Sequence, residues 1–94
     1  MKLDIRMRHV SPPAEVLADL RRRVAGAFAR FGPWVRAVNI TVEDINGPKG
    51  GADKQVRLRL RARAIPRIVI EHVGVETGAA VAAAVERALQ TLVR

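Results

Sequence analysis

Hydrophobic and polar residues alternate strictly over positions 56 to 63, Val-Arg-Leu-Arg-Leu-Arg-Ala-Arg. In an extended chain this period of two sends Arg57, Arg59, Arg61 and Arg63 to one side and Val56, Leu58, Leu60 and Ala62 to the other, as in a half-buried strand. Alternation also marks 2–8, with Leu3, Ile5 and Met7 against Lys2, Asp4, Arg6 and Arg8, and 36–43, with Val38, Ile40 and Val42 against Asn39, Thr41 and Glu43. A fourth strand is expected over 67–73, where the preceding Pro66 suits a strand start or an edge. Between the first two strands the spacing changes to three and four. Leu17, Leu20, Val24, Ala27, Phe28 and Phe31 then form the single stripe of an amphipathic helix. Ser11-Pro12-Pro13 offers an N-cap followed by proline in the first turn, and Gly32-Pro33 a stop. A second stripe, Val81, Ala84, Val85, Ala88, Leu89 and Leu92, follows Thr77, which can cap it.

The order β-α-β-β-β-α, with one apolar face per strand and one stripe per helix, predicts an α+β fold. Its form is a four-stranded mixed sheet with two helices packed on one face. At 94 residues the chain is read as a single domain, 1–94. The other sheet face is then bare. By alternation it carries Lys2, Arg6, Arg8, Arg57, Arg59, Arg61, Arg63 and Arg67 against only Asp4, Glu43 and Glu71.

Composition sharpens this picture. Seventeen Lys and Arg against nine Asp and Glu give a net charge of +8, so the expected partner is acidic. Fourteen of the cations are arginine, which suits bidentate phosphate contacts. Four like charges along about 20 Å of strand repel one another, and three carboxylates are too few to neutralise the face. Catalysis is poorly supported: there is no cysteine, serine occurs once, and the histidines are His9 and His72 alone. No enzyme activity, cofactor, metal or small-molecule substrate is expected. No apolar run reaches the length of a membrane span, and the N-terminus lacks the continuous apolar stretch of a signal peptide, so a cytoplasmic location is expected. Phe28 and Phe31 belong to the helix stripe, and Trp34 reads as a cover over the sheet end rather than a stacking platform. The partner this suggests is RNA recognised through its backbone.

The segment Asp44-Ile45-Asn46-Gly47-Pro48-Lys49-Gly50-Gly51-Ala52-Asp53-Lys54 is dense in turn formers and leads into the arginine strand. With the order of elements, it resembles the ribosome hibernation-promoting factors, also called sigma-54 modulation or ribosomal subunit interface proteins, in their short single-domain form. The resemblance implies a βαβββα domain that binds the small ribosomal subunit where messenger and transfer RNA sit, and keeps idle ribosomes inactive under stress. Lys49, Lys54 and Arg57 are the positions it carries over as rRNA contacts. Arg59, Arg61, Arg63, Arg6 and Arg8 on the sheet, and Arg22 and Arg30 on the helix edge, complete the candidate set. One departure is a second helix with few cations, Arg87 and Arg94 beside Glu86; the C-terminal domain of long members is not expected. A monomer is expected, with at most weak self-association. The alternative reading is a basic protein-interaction module that dimerises through the sheet or docks an acidic protein.

Overall fold

The computed structural model describes residues 1–45 and 53–93. Its elements run β1 (Lys2–Arg8), α1 (Ala14–Phe28), a 3-10 segment (Ala29–Trp34), β2 (Val35–Asp44), β3 (Lys54–Ala62), β4 (Ile68–Gly74) and α2 (Thr77–Val93). The four strands form one sheet in the order β1-β2-β3-β4. β1 runs parallel to β2, and the two later pairings are antiparallel. This is the expected mixed sheet.

The core forms between one sheet face and both helices. Ile5, Val38, Ile40, Val42, Val56, Leu58, Leu60, Ile68 and Ile70 from the strands meet Leu20, Val24 and Phe28 of α1 and Val81, Ala84, Val85 and Ala88 of α2. Small residues at four-residue spacing let α2 approach the sheet closely. A Cβ built on Gly74, where β4 ends, would lie 3.0 Å from the Ala80 Cβ.

Both helix starts differ from the sequence expectation. The residue before α1 is Pro13, and no side chain caps the helix. The two prolines delay the first turn to Ala14, leaving Ser11 too far upstream for its hydroxyl to reach the N2 or N3 amides. At α2, Glu76 takes the place assigned to Thr77. Its carboxylate accepts the N–H groups of Gly78 at 2.9 Å and Ala79 at 2.7 Å. Thr77 is instead the first helical residue.

The end of α1 also departs from a single long helix. After Phe28 the chain tightens into the 3-10 segment, which breaks at Gly32 with φ 51° and ψ −128°. Only glycine adopts that conformation freely. Phe31 is half-buried against the core, whereas Trp34 is 58% exposed, so it does not cover the sheet end. In β2 the register slips between Val35 and Ala37. Strict alternation would put Arg36 in line with Val38 and Ile40; the irregularity places Val35 in the core and leaves Arg36 exposed.

Candidate nucleic-acid interface

The sheet face away from the helices is built rung by rung from strand register. Successive rungs are Lys2–Ala37–Arg61, Asp4–Asn39–Arg59–Val69, Arg6–Thr41–Arg57–Glu71 and Arg8–Glu43–Gln55–Val73. Each strand puts every second residue here because its intervening apolar residues are drawn to the core. The rungs hold six cations and three carboxylates. Arg63 and Arg67, which alternation placed in the strands, lie in the β3–β4 connection, because β3 ends at Ala62 and β4 starts at Ile68.

The three carboxylates offset half of the six cations on this face. Asp4 pairs along its own strand with the Arg6 Nε at 2.9 Å. Glu71 pairs across strands with Arg57 at 3.3 Å, both side chains being about half exposed. Glu43 sits between Arg8 and Gln55 in register and, among the described residues, forms no ion pair. Among the described residues, Lys2, Arg8, Arg59 and Arg61 therefore have no carboxylate within ion-pair distance. Solvent-exposed pairs are worth less than about 1 kcal/mol, so an incoming polyanion can displace them easily. Arg8, Thr41, Glu43, Gln55, Arg57 and Arg59 line a shallow polar hollow of about 220 Å³ on this surface.

Lys54 belongs to a different structure. It is in register with Asp44 and its alternation places it on the same side as Val56, away from the arginine row. Its ammonium bonds the Asp53 carboxylate at 2.8 Å and lies 3.7 Å from Asp44, with the lysine side chain only 19% exposed. The hydrogen bond that its ammonium donates to Asp53 raises the Lys54 pKa above its ordinary value; desolvation opposes this and the Asp44 charge adds to it. Asp53 is itself 4% exposed, and its carbonyl accepts the Ile45 N–H at 2.9 Å. This cluster closes the base of the β2–β3 hairpin. Lys49 lies outside the described residues, as do positions 46–52 of the turn-rich segment.

The helix-edge candidates stand apart from the sheet face. Arg22 and Arg23 both bind the Asp19 carboxylate, at 3.0 and 2.8 Å. The Arg30 guanidinium lies 5.1 Å from the centre of the Phe31 ring. Arg87 crosses from α2 to donate to the Glu71 carbonyl at 2.7 Å, occupying an acceptor on β4. Arg36, which is exposed, escaped the sequence reading; the signal available was its clash with the core phase of β2. Trp34, read as a cover, is exposed.

Among the described residues no helix is long and apolar enough to cross a membrane, and no three His, Asp or Glu side chains gather as metal ligands. No family model matches the sequence, nor does any curated protein. Solved structures do match. The chain superimposes on the N-terminal domain of Protein Y from Thermus thermophilus with a TM-score of 0.72 at 15% identity, covering 99% of this chain and 96% of that one. It also superimposes on a ribosomal subunit interface protein from Coxiella burnetii with a TM-score of 0.71 at 16% identity, covering 98% and 93%. At such identities the shared feature is the fold.

Proposed function

We propose that this protein is a non-enzymatic ribosome-associated factor that lays its arginine face against rRNA of the small subunit, and so inhibits translation or stabilises idle ribosomes under stress. The observation that carries this reading is the excess of cations on a sheet face that no element among the described residues covers. Arg59 and Arg61 in particular project from a central strand with no carboxylate partner among the described residues. The fold supports it: a neighbour of the same architecture is described as a ribosomal subunit interface protein. The protein would act in the cytoplasm as a monomer.

Phosphate neutralisation releases counterions, so affinity should fall steeply with salt. Engagement of about six phosphates gives a slope of log K against log salt of about −4 to −5. Co-sedimentation with isolated small subunits over a potassium chloride series measures it. Failure to co-sediment even at low salt would exclude this function.

Exposed Val69 and Val73, on the same face as the arginines at β4, favour a second reading in which the face packs against a protein. Two arginine rows brought together repel unless anions intervene. Self-association that strengthens with salt, seen by size-exclusion chromatography, distinguishes that case from RNA binding.

A further inference from the structure

We propose that Trp34 is a stacking platform for one unpaired nucleobase at the end of the arginine face, an inference that rests on the RNA-binding reading above. Trp34 is the chain's single tryptophan and is 58% exposed. Its backbone is well held: it follows the break at Gly32 and Pro33, and its carbonyl accepts the Arg63 N–H at 2.8 Å. The ring is thus presented from an anchored position, not from a loose loop.

Its neighbours indicate the partner. Val35 pairs with Ala62, and both pack with the core. Trp34 and Arg36 flank Val35, and Arg61 and Arg63 flank Ala62. All four are exposed, and the backbone hydrogen bond from Arg63 to Trp34 sets this residue at the end of β3, the strand that carries Arg57, Arg59 and Arg61. A protein seated at this end of the sheet would have to desolvate exposed arginines for one apolar contact. A nucleic-acid strand uses both features: phosphates meet the guanidinium groups and a base lies on the ring, the combination by which single strands are bound without sequence preference. Commitment to an unpaired base follows from geometry, because a base inside a duplex has both faces covered by its neighbours.

The test uses the intrinsic fluorescence of the protein, which reports this position alone since the chain has no tyrosine and one tryptophan. A ten-nucleotide single-stranded adenosine RNA and a blunt RNA duplex of ten base pairs are titrated at low salt, with filter retention as an independent measure of binding. The single strand should quench Trp34 and the duplex should not. Trp34→Ala should weaken single-strand binding about 10-fold without changing the salt slope, and Trp34→Phe should restore most of the loss. Retention of RNA with unchanged fluorescence, or equal affinity of Trp34→Ala and the parent, overturns the platform and leaves the RNA-binding reading standing. Equal quenching by the duplex also overturns it, as does a fluorescence change with protein concentration alone, which would assign the indole to self-association. Absence of any retention of either RNA overturns the underlying reading together with this one.

Discussion

Glu76 sets where the last helix begins. The N–H of Ala79, and after it that of Gly78, hold its carboxyl below the ordinary value of 4.5. Binding the carboxylate to free amides at a helix start satisfies donors that would otherwise have no partner, and places negative charge at the positive end of the helix. A carboxyl whose pKa is depressed by folding adds stability that is complete above its unfolded value and is lost as pH falls through its folded value. Glu76→Ala should therefore lower the urea midpoint at neutral pH. The difference from the parent should shrink once pH drops below about 4.5. An equal difference at pH 7 and at pH 2 would mean that the charged cap is not the cause. Thr77, the better-known capping type, stands one residue too late to do this. Residue preference alone could not separate the two, because a cap is defined by the turn that follows it.

At the scale of elements, α2 and β4 show how closely packing and sequence must agree. A Cβ at Gly74 would approach the Ala80 Cβ to 3.0 Å, so α2 or the end of β4 would have to give way by a few tenths of an ångström. Gly74→Ala should cost about 1–3 kcal/mol, the usual penalty of overpacking a site whose backbone cannot retreat. Gly26 is the opposite case: it lies within α1, is exposed, and a Cβ there meets nothing within 4 Å. Gly26→Ala should stabilise the protein by about 0.5–1 kcal/mol by reducing the entropy of the unfolded chain and favouring helix. Urea denaturation of the two variants side by side checks both signs. Element types were legible because each strand and helix carries an unbroken apolar period. The 3-10 segment and the slip in β2 were not, because both are local compromises: Gly32 and Pro33 end α1 early, and an arginine in phase with the core must be turned out. Only the neighbouring strand shows how.

For the whole molecule, the arginine face is a property of the sheet rather than of any one strand. Arg57→Ser, Arg59→Ser and Arg61→Ser together should weaken association with small subunits and make the salt slope shallower by about two to three, the contribution of three phosphate contacts. Lys54→Ala should act differently. It leaves Asp53 and Asp44 without their shared ammonium, so it should lower stability while leaving the slope near that of the parent. Co-sedimentation over the same salt series, with urea midpoints for both proteins, separates the effects; a parental slope in the triple variant would show that the row is not the contact.

The sequence by itself determined the order of elements, which side of each strand is apolar, and the excess of positive charge, because these follow from periodicity and counting within short stretches of chain. Tertiary structure decided which charges act together. Strand pairing brought Lys2, Arg6 and Arg8 onto the same face as Arg57, Arg59 and Arg61, with β2 between them, and withdrew Lys54 into a cluster with two aspartates on the opposite side. It also left Trp34 exposed, with its backbone carbonyl bonded to Arg63. Those outcomes depend on register and on where a helix stops. A shift of one residue exchanges the two faces of a strand, and that choice is made by the packing of distant residues.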